Sequence, residues 1–385
     1  MVPTTSSTSG SSLRDLHTVA AASVPFLVGG FAILELPIRW GSGSGSGFPG
    51  AQTGVVLACF GLGYGLAQIP SSLVTQRLGA APTLRLALLS VLVWPLTLAS
   101  SAAVIAVGRF LFGLLLGLTF SAGLMLIRQR VTRERQAVAV AAFSSSWAVG
   151  LVAAALLGAS TVDTAILLAA MLCLGLLALA GLRLSEGSES EIRRRRITLR
   201  ASFDLTAARV MLIVVSAGLM GQVALTTWGP RAASEGAGVG VAAVGIVVAV
   251  GLAAGSFIGS SVSGLRSSGT IVALSPVLTG VMLALFAFAG DSPSVTLLLI
   301  CCVSTASLIN FAPGMARIFR EVPRATQAMT TGVINGVGWI VSAAAPIFLG
   351  LLTTGSAPPQ SAWLVLAAVS CLAGLAAFAV DQGRL

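Results

Sequence analysis

Lysine is absent from this chain of 385 residues, histidine and tyrosine occur once each, and acidic residues number 12. Charged residues make up 9% of the sequence, against about 25% in soluble domains. That shortage excludes an ordinary water-soluble fold, because too few charges remain to build a polar shell around so large an apolar content. The single histidine, His17, has no cluster of Cys, Asp or Glu beside it, so no metal site is expected. There is also no H-E-x-x-H, no nucleophile elbow and no Walker loop. Neither an enzyme nor a cofactor is expected, and any transport has to be passive or driven by an ion gradient. The five cysteines (Cys59, Cys173, Cys301, Cys302 and Cys371) lie in apolar runs without C-x-x-C spacing and read as packing residues.

What the sequence does contain is apolar length. Hydrophobic residues reach 56% and the mean hydropathy is +0.98. Runs of roughly 17–25 apolar residues, enough to cross about 30 Å of hydrocarbon as helix, occur at 16–38, 52–74, 83–100, 102–127, 136–158, 161–182, 206–228, 239–263, 270–289, 294–316, 326–352 and 361–380. Lipid cannot satisfy free backbone groups, and continuous apolarity without strict alternation favours helices over barrel strands. The expected fold is therefore an all-α membrane protein of twelve transmembrane helices.

All 22 basic residues are arginine, giving a net charge of +10. They punctuate the apolar runs rather than forming one polar stripe, which argues against nucleic-acid binding. With a cytoplasmic N-terminus, nineteen arginines fall in inner segments and only Arg39 and Arg231 in outer ones, Arg109 lying within a helix. This asymmetry predicts a multi-pass protein of the cell membrane with both termini cytoplasmic. A signal peptide is disfavoured, because the first apolar run is too long and continues to Glu35, Pro37 and Arg39.

The polar stretches set the organisation. Residues 1–15 read as a disordered Ser/Thr-rich tail, 16–182 as a six-helix half, 183–205 as a cytoplasmic central loop, 206–380 as a second six-helix half and 381–385 as a tail. The run GSGSGSG at 41–47 reads as a flexible loop. A shift of 191 residues places Val131, Arg133, Gln136 and Ala137 over Val322, Arg324, Gln327 and Ala328, which suggests that the two halves are related.

Two local patterns then carry a family resemblance. Ser72-Leu73-Val74-Thr75-Gln76-Arg77-Leu78-Gly79 resembles the loop after the second span of the major facilitator superfamily, with Arg77 and Gly79 matching and Gln76 standing where the family has an acid. Arg109-Phe110-Leu111-Phe112-Gly113-Leu114-Leu115-Leu116-Gly117 is similar to the family's R-x-x-x-G-x-G-x-G, lacking only the middle glycine. The resemblance implies two six-helix halves that rock about a central cavity lined by spans 1, 4, 7 and 10. It assigns Arg77 and Gly79 to a gating loop. It also places spans 2, 5, 8 and 11 at the interface between halves, where glycines permit close approach. Gly113, Gly117, Gly251, Gly255, Gly259, Gly332 and Gly336 are the candidate helix-interface glycines.

Arg109 is the most informative single residue, since a guanidinium in hydrocarbon costs at least about 2.5–3.5 kcal/mol and needs a wet cavity or a partner. Counted at 1.5 Å per residue, Arg109 and Glu35 lie at similar depths of roughly 8–10 Å below the outer surface. One reading makes Glu35 the proton-coupling acid whose protonation frees Arg109 for solute; the other has Glu35 pairing Arg39 four positions on while Arg109 braces the packing. By helix position in the resembled fold, Gln222, Thr226, Asn310 and Trp339 join Arg109 as substrate-binding candidates. The resulting expectation is a secondary transporter of a small organic solute, coupled to protons. A drug or amphiphile exporter is the alternative, and a non-transporting scaffold or receptor the alternative of another class. Its partners are the solute, protons and the bilayer; the oligomeric state is open, a monomer being compatible.

Overall fold

The computed structural model describes residues 8–41, 47–158, 161–181, 203, 205–265, 268–353 and 358–383. Most of the central loop and residues 42–46 of the Gly-Ser run lie outside the described residues. Helices α1 (Thr8–Gly41), α2 (Gly50–Leu78), α3 (Ala80–Leu98), α4 (Ala102–Arg130), α5 (Gln136–Leu157) and α6 (Thr161–Gly181) precede that loop. Helices α7 (Thr206–Ala237), α8 (Val241–Val262), α9 (Ser268–Ala287), α10 (Pro293–Glu321), α11 (Arg324–Ser342 continued by Ala344–Leu352) and α12 (Gln360–Asp381) follow it. No strand occurs among the described residues. Eleven of these helices are long and apolar enough to cross a membrane, and α6 carries a shorter apolar stretch, Asp163–Leu177. The protein is thus a multi-pass, all-helical membrane protein. Large apolar side chains such as Leu177, Phe288 and Leu298 stand 63–70% exposed on its periphery, where the hydrocarbon of the bilayer covers them.

Helix α1 begins at Thr8, inside the stretch whose composition suggested a disordered tail. Ser and Thr favour helix starts as well as loops, and nearly three turns further in, the Thr18 hydroxyl donates back to the Arg14 carbonyl at 2.9 Å. Helix α3 changes winding halfway: Ala80–Leu88 is α-helical and Leu89–Leu98 is a ten-residue 3₁₀ stretch containing Pro95.

The 191-residue shift reappears in the architecture. Helix α4 is interrupted between Ala102–Leu116 and Thr119–Arg130, and α10 between Pro293–Leu308 and Phe311–Glu321, so both ends coincide on adding 191 and the break falls one residue later in α10. At the starts of α5 and α11 the same local bonds recur. Gln136 Nε2 donates to the carbonyls of Arg128 and Val131, each at 3.2 Å, and Gln327 Nε2 to those of Phe319 and Val322 at 2.9 and 2.6 Å. A polar side chain that ties off the end of one helix while starting the next fixes the sharp turn between them, in both places by the same atoms.

Glycines set the closest packing. A Cβ at Gly54 of α2 would sit 2.4 Å from the Pro346 carbonyl oxygen of α11, and one at Gly336 of α11 would sit 2.7 Å from the Gly65 carbonyl oxygen of α2. These two helices therefore meet backbone to backbone. Gly79 ends α2 with φ +89°, a conformation that favours glycine, and its N–H closes on the Thr75 carbonyl at 2.9 Å.

Candidate functional site

A cavity opens where helices from both sides of the central loop converge. Phe26 of α1, Phe120 of α4, and Ser144 and Trp147 of α5 line it from the first six helices; Gln222 of α7, Asn310 of α10, and Asn335 and Trp339 of α11 face them. Its aromatic wall is continuous: Phe26 and Trp147 have ring centroids 5.0 Å apart, and Trp147 and Trp339 5.5 Å. Phe120 meets Phe311 across the cavity at 5.7 Å. Those two phenylalanines are themselves 191 residues apart and flank the helix breaks described above.

Among the described residues, no charged side chain lines this cavity. The hydroxyls of Ser144 and Ser307 donate back to the carbonyls of Val140 and Ser304, each at 2.8 Å. Asn310 Nδ2 donates to Ser275 Oγ at 2.9 Å and to the Ser307 carbonyl at 3.1 Å, which leaves its Oδ1 as an acceptor. Polar capacity therefore resides in three amides, on α7, α10 and α11.

The sequence candidates divide between this cavity and a second centre. Gln222, Asn310 and Trp339 line the cavity. Thr226 sits one turn beyond Gln222, fully buried, its hydroxyl bonded to the Gln222 carbonyl at 2.9 Å. Arg109 is 1% exposed and lies inside the bundle formed by α1, α2 and α4. Its Nη1 donates to the Ala32 carbonyl at 3.1 Å, and its guanidinium rests over the Phe60 ring at 5.6 Å. Glu35, 2% exposed, forms its ion pair with Arg39 of the same helix. One turn of α1 thus carries both Glu35 and the carbonyl that receives Arg109. The arrangement gathers two cations and one carboxylate within an apolar bundle, set apart from the cavity lining.

Arg77 is exposed in the last turn of α2, next to Gly79. The interface glycines also divide. Gly332 and Gly336 abut α2, at the carbonyls of Gln68 and Gly65. Gly251, Gly255 and Gly259 abut α10, at the carbonyls of Cys301, Thr305 and Ile309, while Gly113 and Gly117 abut α2 at those of Phe60 and Tyr64. Sequence reasoning did not single out Phe26, Phe120 or Phe311. A phenylalanine in an apolar run carries no mark that separates a lipid-facing ring from a cavity-facing one.

Comparison with known proteins follows from this geometry. A family model described as Major Facilitator Superfamily matches residues 18–346. No curated protein matches the sequence. Among solved structures, a crystal structure of a point mutant of the nucleoside transporter NupG superposes with a TM-score of 0.70 at 13% sequence identity, covering 95% of this chain and 99% of that one. At that identity the likeness is one of fold.

Proposed function

We propose, from the premise that this chain belongs to the Major Facilitator Superfamily and is a secondary transporter rather than an enzyme, that it moves a small organic solute across the cell membrane. It does so by alternating access between two six-helix halves, 16–182 and 206–380, joined by a cytoplasmic loop. The observation that carries this reading is the cavity itself. It lies at the meeting of the two sets of helices, has aromatic walls from both, and has no fixed charge among the described residues. A solute seated there touches both halves at once, so its binding energy responds to their relative orientation. The recurrence of the α4 and α10 ends and of the Gln136 and Gln327 bonds at one offset supports two related halves.

Proton coupling belongs to the buried centre on α1 and α4. Glu35 is the acid in this reading, because its protonation would release the charges it holds in place. Arg109 then acts through the α1 backbone rather than by touching solute. Reconstituted liposomes test this directly. Wild-type protein is expected to accumulate solute under an imposed pH gradient, and Glu35→Gln to retain counterflow exchange but lose gradient-driven accumulation. Full accumulation by Glu35→Gln would remove Glu35 as the coupling acid, and absence of any flux with wild-type protein would favour a scaffold or receptor.

A further inference from the structure

Aromatic rings line the central cavity from both sets of helices, but its amides come from one set alone. From the first six helices come Phe26, Phe120 and Trp147, with Ser144 bonded to its own helix. All three amides, Gln222, Asn310 and Asn335, come from the later helices. The side chains of Gln222 and Asn335 stay accessible to the cavity and are engaged in no hydrogen bond among the described residues. Asn310 keeps one free acceptor. From the first six helices, the indole N–H of Trp147 is buried without a hydrogen-bond partner among the described residues, at 4% residue exposure. Ring faces from both sets of helices therefore enclose a small group of unengaged donors and acceptors on the later helices.

Each alternative solute leaves something in this arrangement unsatisfied. A charged solute would lose its hydration with no countercharge to replace it. A purely apolar one would seal the amides away from water unpaired, a mismatch that sites built for hydrogen bonding reject strongly. A polyhydroxylated sugar would need more partners than the amides provide, because the two serine hydroxyls are already turned to their own helices. We infer that the cavity takes a flat, uncharged heterocycle with a mixed donor and acceptor edge, its face on the Phe26, Trp147 and Trp339 rings and its edge read by Gln222, Asn310 and Asn335. Amide side chains pair two-point with such edges, as they do with the donor and acceptor pair of adenine, and ring faces favour offset or edge contacts with another ring. The inference deepens the transporter reading by naming the solute class of its cavity.

Matched heterocycles separate the components. Purified full-length protein is titrated with uracil and with lumichrome, a larger flat ring system carrying the same kind of imide edge, and the thermal unfolding midpoint is followed, since a ligand that binds only the folded state raises it. 5,6-Dihydrouracil keeps the edge but loses the flat aromatic ring, 1,3-dimethyluracil keeps the ring but loses the donors, orotate adds a charge, and D-glucose represents sugars. The expected result is a dose-dependent rise with uracil or lumichrome and at least a tenfold weaker response to the other four. Gln222→Leu and Asn335→Leu should each weaken binding by about 3- to 10-fold and shrink the preference for uracil over 1,3-dimethyluracil, the change expected for one hydrogen bond. Equal responses to uracil and dihydrouracil, a stronger response to orotate or glucose, or no response to either flat heterocycle would each overturn the inference. Binding is read here without flux. Heterocycle binding without liposome transport would thus sink only the transporter reading, whereas transport of a charged solute without heterocycle binding would sink only this one.

Discussion

Replacing Gly54 with alanine tests whether the α2–α11 contact is a seam that must open. The new Cβ would lie 2.4 Å from the Pro346 carbonyl oxygen and 3.2 Å from the Cα atoms of Gly350 and Ile347. All of these are backbone atoms, so no side-chain rotation relieves the overlap. Ordinary contact, from 3.4 Å outward, requires the two backbones to part by about 1 Å, and overpacking of this kind costs about 1–3 kcal/mol. If the arrangement described here is one of two that the protein visits, that cost falls on the closed seam alone and shifts the balance towards the other by about 5- to 150-fold. The seam also holds the Trp228 indole, which donates to the same Pro346 carbonyl at 3.2 Å. Beside it Thr227 is buried at 4% exposure. In a Thr227→Cys background, labelling by a membrane-impermeant maleimide, read site by site by mass spectrometry, should accelerate within that range on adding Gly54→Ala. The control is Gly240→Ala, where an added Cβ meets nothing within 4 Å. Unchanged labelling and unchanged flux in Gly54→Ala would refute the reasoning and make the α2–α11 contact static.

Three further outcomes are expected. Tags at Arg14 and near Arg194 should be cytoplasmic and one at Ser44 external, as the arginine asymmetry requires; protease or thiol accessibility in intact cells decides it, and an external central loop would dismantle the two-half arrangement. Arg109→Ala leaves the Ala32 carbonyl without its donor and removes the cation from the Phe60 face, so thermal stability should fall by about 1–3 kcal/mol; Arg109→Lys should recover part of this, having charge but no planar fork. Gly255→Leu should lower the yield of folded protein rather than arrest an otherwise stable transporter, because Gly255 packs on the Thr305 carbonyl of α10; size-exclusion profiles in detergent separate the two results.

The apolar runs made the helices legible because lipid leaves the backbone few choices, and most expected boundaries fall within a few residues of the observed ones. The offset of 191 residues was readable from Val131, Gln136 and their counterparts because those residues perform a local task, closing the turn before α5 and before α11. Of the cavity, the polar members Gln222 and Asn310 were readable, since an amide in an apolar span is costly unless it has a purpose or a partner. Thr226 has the same polarity but discharges it within its own turn, which composition cannot reveal. The matched depths of Glu35 and Arg109 were legible, whereas their actual partners, Arg39 and the Ala32 carbonyl, depend on helix rotation. The break in α4 left little trace, because Gly117 is a glycine among many; that in α10 is marked by Pro313, which has no N–H to give the Ile309 carbonyl, yet the apolar run continues across it and reads as one span.

The 3₁₀ winding of α3 bears on how this protein fits its bilayer. Nineteen residues wound throughout as α-helix would reach about 28 Å, slightly less than a hydrocarbon core of about 30 Å. With ten of them rising about 2.0 Å each, the same segment reaches about 33 Å. The stretched half is fastened on two sides: Leu96 packs on Gly108 of α4, one residue before Arg109, and Trp94 lies beside Glu35. Hydrophobic mismatch at α3, which bilayers impose at a modest cost per ångström, is consequently borne by the same few residues that surround the buried charges, so membrane thickness and the ionic centre are mechanically connected.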